Sequence, residues 1–284
     1  MMLHERDDLV NGLQLHSYAA GDSSAPALVF LHGFPEWGGA WERQLDFFAA
    51  QGFYAIAPDQ RGYNRSDKPR SIRSYTVQLL AADIAALIEV LQLKDVTLCG
   101  HDWGGAVAWE LARTRPDLVQ RLVILNMPHP AAMRQALRYD RGQLRRSWYA
   151  GFFQLPLLPE VLCAAFGFAL LKRTLRRTAR KGTFSEEELH RYIDAWKQPG
   201  ALRAMLNWYR AFRFTPATDF TIDMPALVLW GRRDAFLKAS LAPASLAHCT
   251  NGRLLWFDKA THWLHHEEPD GVNEAIQNFI NRNA

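Results

Sequence analysis

The chain of 284 residues has only three cysteines, and none of them forms a CxxC pair. A disulfide framework and a cysteine-rich zinc module are thereby excluded. Cys99, inside the apolar run Val96–Cys99, reads as the reduced, buried thiol of a cytoplasmic protein. Long hydrophobic runs are lacking too. The most apolar stretch, 155–171, is interrupted by Pro156, Pro159 and Glu160 and falls short of the roughly 18 unbroken residues that a membrane-spanning helix needs. It reads instead as a buried or interfacial helix. The polar start His4-Glu5-Arg6-Asp7-Asp8 offers no apolar segment of the kind a secretory signal requires. Charge of one sign is also in short supply. The formal balance is +4, and much of that excess is gathered in 172–181, where no interleaved aromatics or phosphate-binding loop point to nucleic acid. The histidines 262, 265 and 266 lack HExxH or Cys/His metal-ligand spacing.

About half of the residues, 49%, are apolar, enough for one large core or for a core that carries an insertion. Short β-rich runs end in chemically loaded loops: Ala27–Leu31 before His32, Tyr54–Ala57 before Asp59, Val96–Cys99 before Gly100, and Leu122–Leu125 before Asn126. Between them lie helical stretches. One runs from about Thr76 to Leu91, with Leu79, Leu80, Asp83, Ile84, Leu87, Ile88 and Leu91 at helical spacing; another follows Trp103 and ends at Pro116. This alternation predicts an α/β chain with a mostly parallel central sheet flanked by helices. From 130 to 217 no comparable strand occurs, while Leu202, Met205, Leu206, Tyr209 and Phe212 recur at helical spacing. The expectation is a core formed by 1–129 and 218–284 with a helical cap, 130–217, inserted between them. Strands resume at Ala226–Trp230 and Leu254–Phe257, and a last helix starts near Pro269, burying Val272, Ala275, Ile276, Phe279 and Ile280.

Gly100-His101-Asp102-Trp103-Gly104-Gly105 joins an apolar strand to an Ala-rich helix, the context of a nucleophile elbow, with aspartate in place of serine. Alone, it could equally be a tight turn with a helix-capping Asp. Three further segments bear on that choice. His32-Gly33-Phe34-Pro35 closes an earlier strand where the Phe34 and Trp103 amides could form an oxyanion hole. Asp234 follows one later strand and His262 the next. Nucleophile, acid and histidine thus occur in the chain order this fold uses. His265 and His266 compete with His262, but His262 is the one at the strand end.

With these residues on the page, a resemblance emerges. HGFP at 32–35, DQRGYNRSDKP at 59–69, GHDWGG at 100–105, WGRRD at 230–234 and HW with a downstream EEP at 262–269 resemble the epoxide hydrolase branch of the α/β-hydrolase superfamily, and together they cover most of the core. The resemblance implies an α/β-hydrolase fold and no metal or organic cofactor. It implies catalysis by Asp102, His262 and Asp234, with Phe34 and Trp103 as oxyanion hole and His32 and Pro35 beside the substrate. It also implies that two cap tyrosines bind the epoxide oxygen; Tyr149, in SWYAGFFQLP, and Tyr209, in NWYRAF, stand in the matching contexts.

The chemistry agrees with an aspartate at the elbow. A carboxylate attacking saturated carbon leaves an ester that water can cleave, whereas an alkoxide would leave an inert ether. The expected substrate is a small epoxide, the expected product a diol. A haloalkane or haloacid dehalogenase would use the same Asp-His-Asp set, with Trp103 donating to halide. A non-enzymatic alternative makes the basic stretch a membrane-surface or nucleic-acid binding module. For the enzyme, no nucleic-acid partner is expected, a peripheral membrane contact stays open, and so does the choice between monomer and homodimer.

Overall fold

The computed structural model describes residues 3–215 and 219–283. In chain order the elements are β1 (His4–Val10), β2 (Leu13–Ala20), β3 (Ala27–Leu31), α1 (Glu42–Ala50), β4 (Tyr54–Pro58), α2 (Val77–Val90), β5 (Thr97–His101), α3 (Trp103–Thr114) and β6 (Arg121–Leu125). Six helices follow: α4 (Pro130–Tyr139), α5 (Arg141–Arg146), α6 (Trp148–Phe152), α7 (Leu158–Thr178), α8 (Glu186–Trp196) and α9 (Ala201–Ala211). The chain then returns with β7 (Ala226–Gly231), α10 (Leu241–Leu246), β8 (Gly252–Phe257), α11 (Leu264–Glu267) and α12 (Pro269–Arg282). The expected junction at 217/218 falls outside the described residues.

The strands form one sheet in the order β1-β2-β4-β3-β5-β6-β7-β8. From β4 to β8 every pairing is parallel. Strands covered by helices on both faces must be apolar throughout, and β3, β4, β5, β6 and β7 are buried at every position. The antiparallel hairpin β1–β2 was not expected, because β1 begins with five ionisable residues. It is the edge strand, where charge is tolerated and discourages pairing with another chain. Its carboxylates find local partners: Arg6 clasps Asp8 at 2.7 and 2.8 Å, and Asp7 meets His16 Nδ1 at 2.8 Å.

Helix α2 buries Leu80, Ile84, Leu87 and Ile88 as its spacing predicts, but Leu79 is exposed, a correction to the expected face. Asp83 is buried on that face because the Arg61 guanidinium grips it with two bonds of 2.7 Å. The stretch 155–171 also departs from a buried helix. Its backbone leaves helical geometry at Ala165–Phe168, and Leu157, Val161 and Phe166 are exposed. Among the described residues no helix is long and apolar enough to cross a membrane.

Two buried tryptophans fix the inserted helices on the sheet. Trp196 of α8 donates its indole N–H to the Pro35 carbonyl at 2.6 Å, and Trp208 of α9 donates to the Arg61 carbonyl at 3.0 Å. Each pairs a large apolar surface with one satisfied polar atom, which suits tryptophan at a packed seam. The consequence is positional: Tyr209 follows Trp208 and is carried to the sheet edge.

Candidate active site

The last residue of β5 is His101, and the chain turns so sharply into α3 that Asp102 adopts φ 48°, ψ −126°. A positive φ at a residue with a Cβ is costly and persists only where its surroundings enforce it. The enforcement is close packing. A Cβ on Gly104 would lie 2.2 Å from the Leu31 carbonyl oxygen, and one on Gly33 would lie 2.3 Å from Asp102 Cβ, so the turn closes only with glycine at both places. Asp102 opens α3 but makes no side-chain cap bond to it. Its Oδ1 accepts the Phe34 N–H at 2.9 Å instead. The carboxylate is thereby turned away from the helix, which sets aside the capping role that sequence alone allowed.

Oδ2 of Asp102 faces His262 Nε2 at 3.5 Å, and His262 Nδ1 meets Asp234 Oδ2 at 2.7 Å. The remaining lone pairs of Asp234 are occupied: Oδ1 accepts the amides of Phe236 and Leu237 at 2.7 and 2.9 Å, and Oδ2 accepts the Asn126 side-chain amide at 2.5 Å. Asn126 in turn accepts the Gly231 N–H at 2.8 Å, so it links β6, β7 and the acid. Burial opposes charge on the His262 ring, but the carboxylates of Asp234 and Asp102 outweigh it and hold its pKa up at about 10. Burial likewise opposes ionisation of Asp102. The His262 bond and charge, the charge of His101 and the Phe34 amide overcome it and hold the carboxyl below its ordinary 3.8.

Phe34, Pro35, Asp102, Tyr149, Tyr209 and His262 border a cavity of about 160 Å³. A second cavity, of about 400 Å³, is bordered by Asp102, Trp103, Tyr149 and Tyr209 among others. The carboxylate and both tyrosines are therefore common to the two spaces. The tyrosine rings meet edge to face at 5.9 Å, and Tyr209 packs on Trp103 at 5.1 Å. Burial pushes both phenols well above their ordinary range, and carboxylate charge adds to it, so both stay protonated at neutral pH. Their spacing is held from behind. Gln154 donates to the Tyr209 carbonyl at 3.0 Å, while Arg210 reaches the Phe153 and Leu155 carbonyls at 2.9 and 2.7 Å.

His32 does not border either cavity, a correction to its expected place beside the substrate. The Gln60 backbone N–H donates to its Nε2 at 3.1 Å, so Nδ1 carries the proton and donates to the Gly33 carbonyl at 3.0 Å. Burial lowers its pKa to about 4, and this neutral ring shapes the loop that carries Phe34.

Sequence reasoning missed the group beneath the turn. Glu36, fully buried, meets His101 Nδ1 at 2.8 Å through Oε2; its Oε1 faces His266 Nε2 at 2.8 Å, His265 Nε2 at 3.2 Å and the Tyr192 hydroxyl at 3.2 Å. The other nitrogen of His101 lies 2.9 Å from the His262 carbonyl, an acceptor only, so His101 donates there and a second proton lies between Nδ1 and Glu36. His265 and His266 thus turn away from Asp102. Glu36, His101 and His265 are the one cluster among the described residues with metal-compatible spacing, and each contact is that of a hydrogen-bonded imidazole. Glu267 was also missed. It accepts the Thr261 N–H at 2.7 Å beside His262 and the Arg180 N–H at 2.8 Å beyond α7. Only the EEP segment hinted at it, and no local pattern marks Glu36 or Asn126.

A mostly parallel eight-stranded sheet whose central strand β5 ends in this turn, with an acid delivered after β7 and a histidine after β8, defines the class of α/β hydrolases. Residues 26–269 match the family described as alpha/beta hydrolase fold. The chain is 42% identical over 272 residues to the AB hydrolase superfamily protein YfhM of Bacillus subtilis, with 95% of each chain covered. It is 36% identical over 277 residues to mouse Epoxide hydrolase 4, covering 95% of this chain and 77% of that one. The crystal structure of a Bacillus megaterium epoxide hydrolase with an inhibitor superposes with a TM-score of 0.90 at 28% identity, covering 97% of this chain and 100% of that one. The chain belongs to the α/β-hydrolase fold family and, within it, to the epoxide hydrolases.

Proposed function

We propose that this enzyme opens epoxides to vicinal diols through a covalent ester on Asp102. The observation that carries the reading is the division of labour at that carboxylate: one oxygen is held by the Phe34 amide, the other faces His262, and both cavities beside it are bordered by two protonated phenols. Oδ1, held by an N–H, becomes the carbonyl oxygen of the ester. Oδ2 attacks an epoxide carbon, the C–O bond breaks, and its electron pair goes to the epoxide oxygen, which takes a proton from Tyr149 or Tyr209.

Forming the ester removes the Asp102 charge that helps to hold the His262 proton. The pKa of the ring falls, and its proton is free to return to the tyrosinate. Neutral His262, oriented by Asp234, then takes a proton from water as that water adds to the ester carbonyl. Phe34 and Trp103 amides carry the oxyanion, collapse expels the diol oxygen, His262 gives it the proton, and the released Asp102 carboxyl passes its own proton to His262, which restores the starting pair. No step calls for a metal or organic cofactor.

In this reading the helices between β6 and β7 act as a lid whose task is to supply the two phenols and the cavity walls. The dehalogenase alternative is tested together with the proposal. Aryl and alkyl epoxides are incubated beside haloalkanes and haloacids, and diol and halide are measured. Diol from epoxides is expected. Halide release without diol overturns the assignment.

A further inference from the structure

We infer that the lid carries a docking surface for anionic lipid, formed by the exposed apolar stretch from Leu155 to Leu170 and the cations that follow it. Leu157, Val161 and Phe166 are 74%, 64% and 94% exposed, and Leu155, Leu162 and Leu170 are exposed beside them. Large apolar side chains exposed in this number along one segment mark a contact site. Backbone strain keeps it presented. Phe166, Gly167 and Phe168 all take left-handed dihedrals, which sends Phe168 inward against Trp196 and leaves Phe166 outward.

The charge next to this surface fixes the partner. Lys172, Arg173, Arg177 and Lys181 enter no ion pair among the described residues, whereas Arg176 is matched by Glu186 and Arg180 by Glu267 and Glu268. Glu160, the single acid between 155 and 181, is matched by Arg210. Leu170, Arg173 and Arg177 fall at i, i+3 and i+7, so apolar and cationic groups share one helix face. A second copy docking through the same patch would oppose cation to cation. A nucleic acid would leave the aliphatic groups unmatched. A bilayer with acidic headgroups satisfies both.

The surface also opens on the site. Exposed Trp148 and Leu170, with Thr174, border the same cavity as Asp102 and His262. A docked lid would therefore receive apolar epoxides from the bilayer. That delivery rests on the function proposed above, while docking itself does not.

The test is flotation of the whole enzyme with vesicles of phosphatidylcholine alone or mixed with phosphatidylglycerol. Wild type is expected to float with the mixed vesicles at low salt and to be released at high salt. Phe166→Ser with Leu162→Ser should abolish flotation. Arg177→Glu with Lys181→Glu should lower partitioning by about twentyfold or more, since each cation contributes about fivefold. All variants should turn over a small water-miscible epoxide at the wild-type rate. Failure of wild type to float, equal flotation with neutral vesicles, or a dimer dissolved by Phe166→Ser overturns the inference. Flotation by an enzyme that turns over no epoxide sinks the functional proposal alone.

Discussion

The backbone N–H of Phe34 donates to Asp102 Oδ1 at 2.9 Å across 68 positions of sequence. This contact joins the loop after β3 to the turn after β5 and commits one carboxylate oxygen before any substrate arrives. In the proposed mechanism nucleophilic attack is left to the other oxygen, the one that faces His262.

Separating the two half-reactions is the sharpest check. His262→Gln leaves Asp102 and the phenols in place but removes the base. After incubation with an epoxide, intact mass should rise by one substrate and stay raised. An unchanged mass with turnover retained refutes the assigned role, and Asp102→Ala should show neither adduct nor diol.

The two phenols should be partly redundant, because both border both cavities. Tyr149→Phe and Tyr209→Phe are each expected to slow ester formation by about 10- to 100-fold, and the double variant to abolish it, since a positioned proton donor contributes about 10²–10⁴-fold. Single-turnover fluorescence or quenched mass spectrometry gives the rate. A double variant that alkylates normally would remove the tyrosines from the mechanism.

Asn126→Ala withdraws a bond from Asp234 Oδ2 and leaves the Gly231 amide without its acceptor. A hydrogen bond to a charged group contributes about 1.5–3 kcal/mol, so ester hydrolysis should slow by about 10- to 100-fold while alkylation changes less. An equal loss in both phases would show that Asn126 supports the fold rather than the acid.

Stability should respond to pH through His262. Its folded pKa, about 10, lies above the ordinary 6.5. The ring's stabilising contribution is therefore full below about pH 6.5 and is lost as pH rises toward 10. Asp102 acts with opposite sign: its pKa is lowered, so its contribution is present above 3.8 and is lost as pH falls below that. Melting temperatures of wild type and His262→Gln should differ in their slope above pH 7, and parallel curves would contradict the charged pair.

The legible parts of the fold were those set by local rules. Ala27–Leu31 could be placed to the residue because a doubly covered strand must be continuously apolar, and α12 because Pro269 starts a helix without a wasted donor. The edge strand β1 was not legible, because its ionisable side chains mimic a disordered terminus and find hydrogen-bond partners such as His16, across the hairpin in β2. The same division holds in the site. Asp102, Asp234 and His262 could be named because each follows a strand in a fixed order. Asn126 and Glu36 acquire their roles only through contacts 108 and 65 positions away, and His32 misled because a motif histidine turned out to brace its own loop.

Asp102 stands where a space of about 160 Å³ meets one of about 400 Å³. In the proposed reaction an epoxide bearing a group on each carbon sends one group toward each space, and the larger space favours the bulkier group. On that proposal the unequal spaces orient the substrate before any bond breaks, and enlarging the smaller one at Phe153, which lines it, should change which carbon is attacked.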